Sequence, residues 1–325
     1  MGWNVAPLIT TDLSNKTVLV TGANTGLGHE AAKHFARMKP QKLVVTCRTK
    51  EKGDATVKRI QQETGFAEVE AHELELSSFS SVLEFVKKFN SSHVGLDILV
   101  SNAALAMNDF QLTGDVNHLS TALMIVLLVP ALARAASSHP GSYSRVVTVS
   151  SGAHAWPGIH LNETDFPGPQ ILQQLNSLDM FKKWGHDKRY AQSKLLNLLF
   201  TLALAEGLSS SSRVIVDAVN PRFCESDLTR HIGQEQFKDM LHLRRTTEEG
   251  SRELVRAAVY PADGDEEETK KMHGAYLQDS ELALPSEWVR SEDGRRAREL
   301  LWTVTIEILS QVDTGVKEII DQHRK

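Results

Sequence analysis

The chain has 325 residues, 41% hydrophobic and 24% charged, with a formal net charge of −5. That is an ordinary globular composition, long enough to bury a sizeable core, and the absence of a long basic tract argues against nucleic-acid binding as the main task. Two cysteines, Cys47 and Cys224, exclude a disulfide framework or a cysteine-rich zinc site; the first residues lack a basic region followed by an apolar run, so a cytoplasmic protein with reduced thiols is expected.

The first β-branched run is KTVLVTG, 16–22, followed by a helical pattern with Ala31, Ala32, Phe35 and Ala36 on one face. KLVVTC, 42–47, and AEVEAHELEL, 67–76, flank a second helical stretch, KEKGDATVKRIQQE. Val82, Phe85, Val86 and Phe89 mark a third helix before LDILVSN, 96–102. The nearly apolar stretch 119–136 barely reaches membrane-spanning length and contains Pro130 and Arg134. It reads as a buried or interface helix rather than a span.

SRVVTVSS, 144–151, RVIVDAVN, 213–220, and a short GAYLQ, 274–278, complete the strands. The segments 155–188, 209–212 and the acidic 264–269 read as loops. The tail 287–325 reads as helical, with Leu301, Val304, Ile308 and Val312 on one stripe. Strands alternating with helices predict a doubly wound, Rossmann-type α/β fold with a parallel sheet. No linker divides 1–325, so one domain is expected, with a core of about 14–280 and a helical tail.

The first strand runs into TGANTGLG, where Gly22, Asn24, Thr25, Gly26, Leu27 and Gly28 lie between strand and helix. A tight turn, and the close approach of a pyrophosphate to backbone N–H groups, both require residues without a Cβ. The spacing is G-x-x-x-G-x-G, not the G-x-G-x-x-G fingerprint. After the second strand stand Cys47, Arg48, Lys50 and Lys52, with no acid at the strand end to bind a ribose 2′-hydroxyl. Positive charge there favours NADP, as NADPH, over NAD.

TGANTGLG, SNAA (101–104), VNHL (116–119), VVTVSSGAH (146–154), YAQSK (190–194) and VNPRF (219–223) occur in the order of the short-chain dehydrogenase/reductase family, which this chain resembles over roughly 14–280. SSGAH, YAQSKLLN, RTTEEGS and HGAYLQDSELALPS look like its retinol-dehydrogenase-like branch, fungal secondary-metabolism members in particular. The resemblance implies a catalytic group of Asn117, Ser151, Tyr190 and Lys194. Tyr190 would be the acid in carbonyl reduction or the base in alcohol oxidation. Lys194, one helical turn on, would favour tyrosinate. Ser151 would bond the substrate oxygen, and Asn117 would hold a water linking Lys194 to solvent. Glu75 would face adenine, Asn102 would line the cofactor site, and Pro221, Phe223 and Ser226 would pass near the nicotinamide. A segment 228–243 with Ile232, Phe237, Met240 and Leu241 would form an apolar lid, and Met107, Phe110, Trp156, Phe181 and Trp184 would face the substrate. His154, His160 and His186 read as substrate-loop or surface residues. The partner is then a small carbonyl or alcohol, fairly apolar, with a polyketide-type molecule as one example. Helices 119–136 and 188–207 would pair across a two-fold axis in a homodimer or homotetramer.

Three departures from the family pattern stand out. Ala104 replaces a glycine after the fourth strand, and Arg222 replaces the glycine after Pro221, placing a cation near the nicotinamide. The stretch between Asn102 and Asn117 is short, so the asparagine helix would begin near Gly114, with Asp115 in its first turn and Asn117 close to a fraying end. Either the loop stretches and the site is preserved, or the chain is a catalytically impaired nucleotide-binding protein acting through interactions. A nucleotide-sugar epimerase shares the Tyr-x-x-x-Lys helix, but the glycine spacing and Arg48 count against it.

Overall fold

Eight strands form one sheet in the order β3-β2-β1-β4-β5-β6-β7-β8. In the computed structural model the described residues are 5, 7–105, 115–138, 141–161, 168–175, 177–225, 228, 241–261 and 264–324, with the backbone alone at 115 and 178–187. The strands are β1 Thr17–Thr21, β2 Lys42–Cys47, β3 Val69–Glu73, β4 Ile98–Ser101, β5 Ser144–Val149, β6 Val214–Asn220, β7 Tyr276–Gln278 and β8 Glu281–Ala283. Every pairing is parallel except β7 with β8. This is the doubly wound fold expected. The strand order reverses between β1 and β4, which opens a crevice at their carboxyl ends.

Strand periodicity builds the two cores. Leu19 and Val44 face one side, and Val18, Val20, Leu43 and Val45 the other. The second face packs on helices α1 (Gly26–Arg37) and α2 (Lys50–Thr64), and on a later helix, Thr247–Val259. The first face carries α3 (Phe79–Ser92), then α4 (Thr121–Ser138), which follows a π-helical turn, Asp115–Ser120. Two further helices on this side are α5 (Ile171–Leu175) and α6 (Leu178–Gly207). Helix α4 is apolar all round because it is a core helix: Leu123, Met124, Ile125, Val126 and Leu128 have no exposure.

Beyond α6 the helices are α7 (Thr247–Val259), α8 (Glu266–Lys271), α9 (Glu287–Arg290), α10 (Glu292–Val312) and α11 (Gly315–His323). A capping box between Thr246 and Glu249 starts α7. Leu301, Val304 and Leu309 of α10, with Val316 and Ile320 of α11, join the core cluster of α4 and α6. Trp302 stacks on Phe200 at 5.7 Å, and Arg298 pairs with Glu206 at 2.8 Å. The tail thus packs on α4 and α6, the helices expected to pair across a two-fold axis.

Three expected loops contain helix. The segment 155–188 holds α5, whose Ile171, Leu172 and Leu175 are buried at helical spacing, and the first turns of α6. The acidic 264–269 enters α8, where Asp265 accepts the Glu268 N–H at 3.1 Å and acids precede lysines. Ser210–Ser212 is a short 3-10 turn. Strand β8 was not expected. Asp279 and Ser280 both take left-handed φ values, 53° and 64°, and turn β7 back on itself.

Candidate active site

The glycine turn is shaped by close packing. Gly22 and Gly26 have φ of 66° and 63°. A Cβ on Gly22 would lie 2.9 Å from the Ala103 Cα, and one on Gly28 would lie 2.6 Å from the Gly22 carbonyl oxygen. Asn102 explains the tightness: its Nδ2 donates to the Thr21 and Gly22 carbonyls at 2.9 and 3.3 Å. The Thr21 hydroxyl in turn accepts from the Asn102 and Ala103 N–H groups, each at 3.0 Å. Thr25 stands at the N-cap of α1 without capping it, and the first turn carries no acid. Those amides remain available to an anion.

A cleft of about 410 Å³ opens over this turn. Gly22, Asn24, Thr25, Gly26 and Leu27 line one end, with Arg48 and Glu75 beside them. Glu75 Oε1 also accepts the Ser77 N–H at 3.0 Å. Asn102, Pro221 and Phe223 line the middle and far parts. Gly28 lies beneath the turn. Lys52 is exposed in the first turn of α2 and outside the lining, and Lys50 is paired with Asp54 at 2.6 Å. Ser226 lies outside the described residues. A turn closed to a Cβ at Gly22 and Gly28 and a bare helix N-terminus together fit a dinucleotide.

Tyr190, Lys194 and Ser151 converge on one wall of the same cleft. Lys194 is 2% exposed, donates to the Val149 carbonyl at 2.8 Å, and sits 5.7 Å from the centre of the Tyr190 ring. Burial pulls its ammonium down to about 8. Burial pushes the Tyr190 hydroxyl up to about 12, opposed by its hydrogen bond with Ser151. Burial thus favours the protonated hydroxyl of Tyr190 in the chain alone.

Asn117, the third residue of the helical turn that starts at Asp115, has no exposure. Its amide Nδ2 donates to the Leu105 carbonyl at 2.7 Å and to Ser193 Oγ at 3.0 Å, while its Oδ1 accepts the Leu105 N–H at 2.7 Å. Ser193 Oγ donates to the Tyr190 carbonyl at 2.8 Å. The side chain therefore clamps the strand end to the tyrosine helix. The short loop is compatible with this because Leu105, only three residues past Asn102, already reaches the asparagine.

Arg222 adopts φ 68°, which explains the glycine expected there. Its guanidinium pairs with Asp279, Nε lying 3.1 Å from both carboxylate oxygens. Arg245 also holds Asp279, at 2.9 Å, and lies 3.4 Å from the buried Glu253. The cation expected there is present and is paired with Asp279. Cys224 lines the cleft as a buried thiol pushed up to about 12, donating to the Pro221 carbonyl at 3.3 Å.

Leu105, Val116, Ala153, Trp156 and Leu228 give the cleft an apolar side. Of the expected lid, Leu241 is 40% exposed, and Ile232, Phe237 and Met240 lie outside the described residues. Met107, Phe110 and the side chains of Phe181, Trp184 and His186 do so too. His160 lies 6.3 Å from the Trp288 ring. His154 is buried at 2% exposure, neither a surface nor a loop-tip residue. The sequence reading missed Ser193 and the real place of His154; the run SSGAH was the only signal for the latter.

A short chain dehydrogenase family model matches residues 16–162. A short chain dehydrogenase/reductase, dmxR8, of Cryptosporiopsis sp. is 31% identical over 95% of this chain and 95% of its own. A short-chain dehydrogenase, anuD, of Penicillium roqueforti is 32% identical over 95% of this chain and 81% of its own. Among solved structures, the RhlG/NADP complex of Pseudomonas aeruginosa superposes with a TM-score of 0.62 at 20% identity, covering 82% of this chain and 95% of that one. Salutaridine reductase from Papaver somniferum does so with 0.61 at 20% identity, covering 81% and 100%.

Proposed function

Since the chain belongs to the short-chain dehydrogenase/reductase family and is by that membership an oxidoreductase, we propose that it interconverts a carbonyl and an alcohol on a small, fairly apolar molecule with NADP(H). The observation that carries this reading is the meeting of Tyr190, Ser151 and Lys194 on one wall of the cleft whose far end is the glycine turn. When bound, the nicotinamide supplies or accepts the hydride. The glycine turn and the α1 N-terminus would hold the pyrophosphate, and Arg48 would meet a 2′-phosphate. Glu75 would lie at the adenine end, and Pro221 and Phe223 at the nicotinamide end.

In the reducing direction Tyr190 donates its proton to the carbonyl oxygen. A hydroxyl held at about 12 is protonated throughout the neutral range, as this step needs. Ser151 bonds the same oxygen and orients it. The charge left on Tyr190 is stabilised by Lys194, whose depressed pKa of about 8 lets it exchange protons near neutral pH. Asn117 and Ser193 fix the tyrosine helix against Leu105.

We propose a secondary metabolite, a polyketide-type molecule as one example, as the substrate class; that the matched short-chain dehydrogenases are fungal supports the fungal part of this reading. With α10 and α11 packed on α4 and α6, we read the chain as working without a subunit partner on that face. Both cysteines are free and buried, in keeping with a reducing cytoplasm. The test is NADPH and NADH binding to the purified protein, then absorbance decay with a panel of apolar aldehydes and ketones. Tight NADPH binding with turnover lost in Tyr190→Phe by about 100-fold or more supports the reading. NADPH binding without any turnover favours the impaired, interaction-based role, and equal NADH binding removes the NADP preference.

A further inference from the structure

His154 follows Ser151 by three residues in the 3-10 turn Gly152–Ala155 that ends β5. Its ring Nδ1 lies 2.7 Å from the Ser151 carbonyl oxygen, which also accepts the His154 backbone N–H at 3.2 Å. A carbonyl only accepts, so Nδ1 carries the proton. Nε2 then offers a lone pair, and the backbone N–H of Ser286 donates to it at 3.2 Å. The two contacts set one neutral tautomer from opposite sides. Burial, which pulls this imidazole below its ordinary value, favours the same neutral form. The Tyr276 ring stands edge-on at 5.2 Å and leaves the imidazole little room to turn.

Ser286 is not a casual donor. It caps α9, its hydroxyl accepting the Val289 N–H at 3.4 Å, and so begins the helical tail. The imidazole therefore joins the catalytic wall to the tail across 132 residues of sequence. On the other side, the Ser151 hydroxyl accepts the Ala153 N–H at 3.2 Å and bonds Tyr190. The serine is held at its carbonyl by one end of the histidine turn and at its hydroxyl by the other.

We propose that His154 is a positioning residue, locking the Ser151 backbone so that its hydroxyl faces Tyr190 and the substrate oxygen, with Ser286 of the tail orienting the imidazole. This rests on the reading of Ser151 as the group that bonds the substrate oxygen. A core-filling histidine would need only bulk at this place, whereas a positioning histidine needs the Nδ1 donor.

The experiment compares His154→Leu with His154→Asn, whose amide nitrogen can stand where Nδ1 stands. Readouts are kcat and KM over the carbonyl panel, NADPH affinity, and hydrogen exchange of the peptide 150–156. Loss of one such hydrogen bond should lower kcat about tenfold in His154→Leu. NADPH affinity should be unchanged, exchange of 150–156 faster, and most of kcat restored in His154→Asn. Wild-type kcat in His154→Leu, or no recovery in His154→Asn, overturns the proposal. If the wild type turns over no carbonyl, the catalytic reading has failed separately, and exchange decides: unaltered protection of 150–156 in His154→Leu overturns the positioning role, and lost protection sustains it. If His154→Leu does not fold, Ser286→Pro, which removes the N–H donor, is set against Ser286→Ala, which keeps it. Faster exchange in the proline variant alone supports the proposal, and equal exchange overturns it.

Discussion

Gly28→Ala tests the glycine turn at the point of closest packing. Alanine would ordinarily stabilise a helix by about 1 kcal/mol over glycine. Here its Cβ would meet the Gly22 carbonyl oxygen at 2.6 Å and collide with the Asn102 amide. Overpacking of that kind costs about 1–3 kcal/mol. If Asn102 swings away, its bonds to the Thr21 and Gly22 carbonyls, at 2.9 and 3.3 Å, are lost at about 1 kcal/mol each. The sum is a net destabilisation of about 2–4 kcal/mol, or, for a chain of 325 residues, a Tm lowered by roughly 3–6 °C. The turn that would hold pyrophosphate shifts with the carbonyl, so NADPH affinity should fall by at least about tenfold. Thermal unfolding and NADPH titration of the variant check both numbers. An unchanged Tm together with unchanged affinity would refute the reasoning, since the turn would then yield freely where the packing says it cannot.

Asp217 lies fully buried in β6, neither carboxylate oxygen has a hydrogen-bond partner among the described residues, and burial raises its pKa well above the usual range against the pull of Arg145. The folded state thus binds a proton that the unfolded chain releases near pH ~4, and stability falls as pH rises from there toward the folded pKa. Asp217→Asn should remove that slope: its urea midpoint at pH 8 should gain on the wild type relative to pH 5, and parallel pH dependences would count against the buried neutral acid. In Arg222→Gly, relief of the left-handed backbone, about 1 kcal/mol, offsets loss of a part-exposed ion pair, and Arg245 still compensates Asp279. Its urea midpoint should therefore shift by less than the equivalent of about 1 kcal/mol; a loss of several kcal/mol would mean that the arginine holds the β7–β8 turn.

The strands, the glycine turn and the Tyr190–Lys194 pair were legible because each depends on neighbours in sequence. Val18, Leu19 and Val20 announce a strand buried on both sides, and a spacing of four on a helix aligns tyrosine with lysine whatever surrounds them. Helix α8 was not legible, since a charge-rich stretch forms helix here through capping rather than an apolar face. Ser193 and His154 were missed because their roles run through the backbone carbonyls of Tyr190 and Ser151 and the N–H of Ser286.

The residue order by itself determined the alternation of strand and helix, the cradle for a dinucleotide and the chemistry available to the cleft, because local periodicity and side-chain type suffice for these. Only the tertiary structure decided the charge states and the company of those residues. Desolvation favours the Tyr190 proton, Asp279 pairs with Arg222, and Asn117 clamps Leu105. The tail packs on α4 and α6 for the same kind of reason: which apolar faces meet is set by burial between segments far apart in the chain, and no local pattern carries that information.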